Sequence, residues 1–309
     1  MAYEELKAKV RKLAGERGCL ILAHNYQRPE IQDVADFVGD SLDLARKAMK
    51  ADSKCILFCG VDFMAETASI LNPGKKVIVP TLGARCPMAA MLPKHVLVEA
   101  KKAHPDAAVV LYVNTSADAK TEADVVCTSA NAVEIASSLP QKEILFGPDE
   151  NLAWFVAQRV KGKKIIPVPA NGYCVTHRLI TKEAVENLKL AHPRAIVMAH
   201  PECNPDVQKL ADYLLSTNGM VAKAKELPDK EFIIGTEKGL VYRLQKEIPG
   251  KKFYEIPGAV CQNMRKNTLE DAYLALENME PVIEVPPHIA ERARRPIERM
   301  LEISEAGKK

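Results

Sequence analysis

Short apolar, β-branched runs alternate along this chain with stretches in which apolar residues recur at helical spacing, and the alternation comes back three times. The runs CLILAHNY, AAVVLYVN and RAIVMAHPE carry His24, Tyr112 and His200 in one register, with Tyr26, Asn114 and Glu202 two residues further on. A second set, CILFC, EILFG and EFIIG, begins at Cys55, Glu143 and Glu231. A third follows Gly-Lys-Lys at Gly74, Gly162 and Gly250. Equivalent positions lie 88 residues apart, a step kept by Ser41, Ser129 and Thr217 and by the Ala-His-Pro triplets at Ala103 and Ala191. So long a period exceeds a solenoid unit and reads as three copies of one small domain.

Each copy reads as βαβαβ, which predicts an α/β protein: three homologous three-layer α/β/α domains with mostly parallel sheets and right-handed crossovers. The repeat divides the chain into an N-terminal helix (1–18), copies at 19–105, 106–193 and 194–280, and a C-terminal tail (281–309) packing on the domains. Helix starts are expected at Ser41, Ser129 and Ser216-Thr217, where a hydroxyl can cap the first turn, and after Pro93, Thr181 and Thr268. Head-to-tail closure of the copies gives a pseudo-threefold arrangement, in which the carboxyl ends of the strands line one central pocket.

Composition narrows the class. With 47% hydrophobic and 27% charged residues the chain of 309 is ordinary globular protein, not disordered or collagen-like. A dispersed net charge of +3 argues against nucleic acid as the main partner. No run of about 18 apolar residues is present to span a bilayer, and the charged, amphipathic first residues lack a signal-peptide core. The expectation is a cytoplasmic protein without membrane partners. Eight cysteines in that reducing setting predict no disulfide framework, and their spacings contain no CxxC pair.

The repeat sorts the cysteines. Cys86 and Cys174 lie 12 residues after Gly74 and Gly162, and Cys261 lies 11 after Gly250. Cys19, Cys55, Cys59, Cys127 and Cys203 have no such counterpart and read as small buried hydrophobes. Three thiolates, one per domain, suit zinc or an iron–sulfur cluster. A structural zinc site is closed by four protein ligands, whereas three cysteines on a four-iron cluster leave one iron open to act as a Lewis acid in a dehydration. The capped helix starts at Ser41, Ser129 and Thr217 could hold phosphate or carboxylates. His24 and His200 at strand ends, and His177 three residues after Cys174, are candidates for acid–base or substrate-anchoring work. By contrast, His104 and His192 read as helix ends, His95 and His288 carry no signal, and Arg292, Arg294 and Arg295 read as a solvated face. Glu202 is the one carboxylate in the strand-end set, which makes it the candidate base, paired with the Tyr26 phenol as acid.

These residues also form recognisable motifs: ILAHNYQ at 21–27, GDSLDLA at 39–45, RCPMA at 85–89, YVNTSADAKTEAD at 112–124, CTSANA at 127–132, NGYCVTH at 171–177, AHPEC at 199–203, STNGM at 216–220 and CQNM at 261–264. Together and in this order they resemble the quinolinate synthase family over nearly the full length. The resemblance implies a pseudo-threefold fold with an oxygen-sensitive [4Fe-4S] cluster on Cys86, Cys174 and Cys261. It implies condensation of iminoaspartate with dihydroxyacetone phosphate to quinolinate for NAD biosynthesis, with an L-aspartate oxidase or dehydrogenase as the source of iminoaspartate. It implies a pocket lined by His24, Tyr26, Ser41, Tyr112, Asn114, Ser129, His177, His200, Glu202 and Thr217. Two features depart from the family pattern: Arg85 stands directly before the first ligand where a small residue is common, and the paired C-terminal cysteines of some bacterial members are missing. Two other readings compete. One is a diphthamide-type radical iron–sulfur enzyme, and the other a non-catalytic, zinc-stabilised anion-binding protein.

Overall fold

Three four-stranded sheets, parallel throughout, organise the computed structural model, which describes residues 3–306. Residues 1–2 of the expected N-terminal helix and 307–309 of the expected tail lie outside them. The first sheet contains β1 (Cys19–His24), β2 (Phe37–Gly39), β3 (Cys55–Cys59) and β4 (Lys76–Ile78), in the order β2-β1-β3-β4. The second holds β5 (Ala108–Tyr112), β6 (Val125–Cys127), β7 (Glu143–Gly147) and β8 (Lys164–Pro167) in the order β6-β5-β7-β8. The third holds β9 (Ile196–Ala199), β10 (Tyr213–Leu214), β11 (Glu231–Gly235) and β12 (Lys252–Glu255) in the order β10-β9-β11-β12. The central strands β3 and β5 are buried at every position, as expected for parallel strands covered by helices on both faces. The three-domain α/β/α reading of the sequence is therefore met, sheet by sheet.

Each sheet has one strand more than the three apolar runs predicted. The extra strands β2, β6 and β10 are only two or three residues long, too short to show a period. A repeated aspartate sets each of them. Asp36, Asp124 and Asp212, 88 residues apart, accept the N–H groups of Ile21, Val109 and Val197 at 2.7–2.8 Å and return their own N–H groups to the same residues' carbonyls. The Gly-Lys-Lys repeat is structural too. The ammonium groups of Lys75, Lys163 and Lys251 donate to carbonyls at the ends of the helices Ser41–Lys50, Ala132–Ser138 and Thr217–Glu226, where a cation offsets the helix dipole.

The caps expected at Ser41 and Ser129 shift by one and two residues, while those at Ser216, Thr181 and Thr268 stand where expected. Asp40, not Ser41, caps Ser41–Lys50 by accepting the Asp43 N–H at 3.0 Å. Ser216 caps Thr217–Glu226, which makes Thr217 its first helical residue. Ser129 precedes its helix, which starts at Ala132, because the Asn131 side chain takes the Thr128 N–H at 2.7 Å and turns the intervening loop.

Packing divides the described chain into two compact units. One comprises residues 3–86 and 261–287. Its core joins Leu6 and Val10 of the first helix, Ile21 and Ala23 of β1 and Leu57 of β3 to Leu269, Ala272 and Leu276 of the helix Leu269–Asn278. The other comprises residues 87–260 and 288–306 and holds the second and third sheets. Within it Leu92 and Leu97 pack with Val109, Leu111 and Leu145, and Ile180 and Val185 pack with Val197 and Ile233. The helices that follow Cys86, Cys174 and Cys261 thus cover the second, third and first sheets, and one packing boundary falls just after Cys86 and another just before Cys261. In the second unit the helix Pro287–Ala306 buries Ala293, Ile297 and Met300, and its Ser304 hydroxyl accepts from the Asn131 amide at 2.7 Å.

One cysteine expectation is overturned. Cys19 and Cys55, read as lone buried hydrophobes, form a disulfide. The register of β1 on β3 sets them opposite each other with Cα atoms 4.4 Å apart, and neither recurs in the other copies, so the repeat could not pair them. Cys59, Cys127 and Cys203 are buried free thiols, as read. Among the described residues no helix is long and apolar enough to cross a membrane.

Candidate active site

The strand order of each sheet reverses between its two central strands, and the crevice beyond their carboxyl ends is where open α/β sheets collect ligands. In the larger unit β5 ends on Tyr112, β7 leads to Asp149, β9 leads to His200 and Glu202, and β11 leads to Thr236. Cys174 and His177 lie on the loop and short helix after β8. Here the side chains of two sheets meet. The fully buried His177 ring places Nδ1 2.7 Å from Glu202 Oε2 and 3.1 Å from Cys174 Sγ, while its Nε2 lies 2.8 Å from Thr236 Oγ1. The His200 ring stacks on it with centroids 4.8 Å apart. His200 Nδ1 accepts the Glu202 N–H at 3.3 Å, which leaves the ring proton on Nε2, 3.0 Å from Ser129 Oγ. The Tyr112 hydroxyl donates to the Glu202 carboxylate.

This packing fixes the charges. Burial alone would raise the Glu202 carboxyl, but His177 and then His200, with hydrogen bonds from His177 and Tyr112, hold it below the usual carboxylate range. Burial lowers His200 to about 3, so its imidazole is neutral. Asp149, also fully buried, goes the other way: burial and the neighbouring Glu202 charge raise it well above the ordinary value. An ionised Glu202 therefore stands between the His177 ring and a neutral His200, beside an Asp149 whose ionisation is disfavoured. Of the other residues singled out from sequence in this unit, Asn114 is half-buried two residues past β5, and Thr217 is buried at the first turn of its helix.

In the smaller unit the same strand-end turn recurs. The Tyr26 N–H donates to His24 Nδ1 at 3.2 Å, as Glu202 does to His200, and the two rings meet edge-on with centroids 4.6 Å apart. His24 is buried, and Ser41 is half-buried at the first turn of Ser41–Lys50. Cys86 and Cys261 belong to this unit and, like Cys174, are half-buried. Arg85 lines a cleft of about 300 Å³ with Asp62, Glu66, Thr81 and Ile283.

Comparison with known proteins identifies the family. The family model described as quinolinate synthetase A protein matches residues 8–302. The chain belongs to the quinolinate synthetase A family. It is 54% identical over 302 residues to the quinolinate synthase of Pyrococcus furiosus, covering 97% of this chain and 99% of that one. It is 49% identical to the quinolinate synthase of Methanothermobacter thermautotrophicus over the same shares. The enzyme of that name from Thermotoga maritima is 48% identical over 295 residues, 96% of this chain and 98% of that one. The family resemblance drawn from the motifs is thus established over residues 8–302.

A thiolate-held group suits the donor set of this family member. The three periodic cysteines are half-buried, while Cys59, Cys127 and Cys203 are sealed in the cores, so the accessible soft ligands are those at equivalent positions of the three copies. Cys174, His177 and Glu202 also form a metal-competent group by themselves, with donor atoms all within 4.8 Å of one another. Four polar residues of the larger unit escaped the sequence reading: Asp149, Thr236, Glu237 and Lys120, all fully buried. Asp149 and Glu237 lie 88 residues apart and could have been found by that step, as could Lys120, whose ammonium donates to the Thr115 carbonyl and which falls in step with Gln32 and Gln208.

Proposed function

We propose that this chain is a quinolinate synthase that condenses iminoaspartate with dihydroxyacetone phosphate, releasing phosphate and two waters, in de novo NAD biosynthesis. The observation that carries the reading is the buried, ionised Glu202 held between His177 and His200 in a chain of this family. Cys86, Cys174 and Cys261 would hold a [4Fe-4S] cluster, which supplies an open iron as Lewis acid for the last dehydration.

The chain's own residues take the remaining steps. Glu202 removes the carbon-bound proton when the three-carbon sugar phosphate is isomerised, and Tyr26 is the matching acid. As it stands the carboxylate is too weakly basic for that work. A substrate oxygen that takes over the His177 Nδ1 proton relieves the pairing and brings Glu202 toward a useful range. His24 and His200 each accept a backbone N–H at Nδ1, so each offers an Nε2 proton to a carbonyl or hydroxyl oxygen. Ser41, Ser129 and Thr217 bind phosphate or carboxylate oxygens, and Tyr112, Asn114 and His177 orient the second substrate. An L-aspartate oxidase or dehydrogenase supplies the short-lived imine.

The deciding experiment is an anaerobic assay for quinolinate from the two substrates, run with Glu202→Gln and Cys86→Ser. Glu202→Gln should abolish turnover and keep the cluster absorption, and Cys86→Ser should lose both. An active Glu202→Gln enzyme refutes the base assignment, and absence of quinolinate from the iron-loaded parent enzyme refutes the function.

A further inference from the structure

We propose that the cluster-free chain carries a mononuclear site for a zinc-like divalent cation, formed by Cys174 Sγ, His177 Nδ1 and Glu202 Oε2. The three atoms lie within 4.8 Å of one another, with Nδ1 3.1 Å from the sulfur and 2.7 Å from the carboxylate oxygen. Tetrahedral zinc with one sulfur, one nitrogen and one oxygen ligand needs an N–O edge of about 3.4 Å and edges to sulfur of about 3.6 Å. Reaching that spacing requires side-chain rotations that open the 3.1 and 2.7 Å contacts of His177 Nδ1. The ion takes the place of the proton that His177 Nδ1 shares between its two neighbours, so loading releases protons to solvent.

The surroundings are those of a built site. His177 and Glu202 are buried, and the Cys174 N–H is held by Asp149 Oδ2 at 3.1 Å. Thr236 Oγ1, 2.8 Å from His177 Nε2, fixes the ring from the far side, and Tyr112 fixes the carboxylate. Partners of this kind orient first ligands and set affinity. Cys174 and His177 are three residues apart on one helical turn, and Glu202 comes from the loop after β9, so folding of this unit brings the set together. One thiolate, one imidazole and one carboxylate leave a fourth position for water and suit Zn²⁺, Co²⁺ or Fe²⁺. Cys174 cannot serve this ion and an iron–sulfur cluster at once. That exclusion rests on the cluster reading above; the single-ion site does not.

The test is an anaerobic titration of the full-length chain, stripped with a chelator, with Co²⁺ and then Zn²⁺. The proposal expects one equivalent bound, with a sulfur-to-cobalt charge-transfer band and four-coordinate visible bands, both displaced by Zn²⁺. Cys174→Ser should remove the charge-transfer band, Glu202→Gln should alter the visible bands, and Thr236→Val should weaken binding by about 10-fold or more. Cys86→Ser and Cys261→Ser should leave all of it in place. A band that survives Cys174→Ser, or disappears in Cys86→Ser, overturns the site, and circular dichroism of each variant separates this from unfolding. Iron and sulfide added to the zinc-loaded chain should build no cluster until a chelator is supplied. A cluster that forms with zinc retained overturns the exclusion alone. A chain that binds Co²⁺ as described but never takes up a cluster or makes quinolinate refutes the function and leaves the site standing.

Discussion

The Asp149 carboxylate accepts the backbone N–H of Cys174 at 3.1 Å. Asp62 does the same for Cys86 at 3.0 Å. A backbone bond accompanies each: the N–H groups of Asp62, Glu150 and Lys238, just past β3, β7 and β11, donate to the carbonyls of Ala84, Gly172 and Ala259. Those carbonyls lie two residues before Cys86, Cys174 and Cys261. Each cysteine loop is thereby tied to the end of a central strand, and the carboxylates position the cysteines without touching sulfur.

Replacing Asp149 by Ala should expose that tie. The N–H groups of Leu152 and Cys174 both lose their acceptor, for a cost of about 1–3 kcal/mol. Thermal unfolding measures the loss. Mass-resolved alkylation of the cluster-free chain measures the positioning, because Cys174 should react faster while Cys86 is unchanged. Asp62→Ala should give the mirror image. Equal rates at both cysteines in both variants would show that the carboxylates serve stability alone.

Gly172 makes a sharper demand on the same loop. A Cβ there would sit 1.9 Å from the Pro148 carbonyl oxygen, a backbone atom with no rotamer to change. Gly172→Ala should therefore destabilise the protein by about 1–3 kcal/mol, the usual cost of overpacking. Gly74→Ala, at a position with open space around it, is the control and should shift the unfolding midpoint little.

The parts of this architecture that recur every 88 residues, or within one residue of that step, were readable from the sequence: three sheets, three cysteines, and the strand ends bearing His24, Tyr112 and His200. The short strands β2, β6 and β10 were not, since two or three residues show no alternation, although the aspartates that set them keep the step. Asp62 was hidden by a one-residue slip. CILFCG spends one residue more than EILFG before its glycine, so the acid that matches Asp149 in role lies 87 residues before it instead of 88. The meeting of His177 with Glu202 and Thr236 joins two copies at positions with no common register, and only the packed sheets reveal it.

The sealed thiol of Cys59 predicts how stability changes in alkali. Burial raises its pKa from 9.0 to about 12. Between those values the native state keeps a proton that the unfolded chain gives up, so stability is full below pH 9 and falls as pH rises toward 12. The slope for this one thiol is about 1.4 kcal/mol per pH unit. Urea unfolding of the parent and of Cys59→Ala from pH 7 to 10.5 checks it: the variant, weaker at neutral pH because of its cavity, should lose less on the way up. Parallel curves would show that the thiol does not titrate this way.

The Cys19–Cys55 disulfide closes a loop across 36 residues between β1 and β3. In the chain-entropy description a loop of that size restrains the unfolded state by about 4 kcal/mol. Opening it with a dithiol under denaturing conditions and refolding in its presence should lower the unfolding free energy toward that extent. Cys19→Ala should show the loss without reductant and no further change with it. Because Leu6, Val10 and Ile21 pack around this strand pair, the first helix should be the earliest element to exchange its amide protons once the bridge is open. Hydrogen exchange resolved by peptide reads that order. Uniform loosening of all three sheets would instead place the effect of the bridge outside its own core.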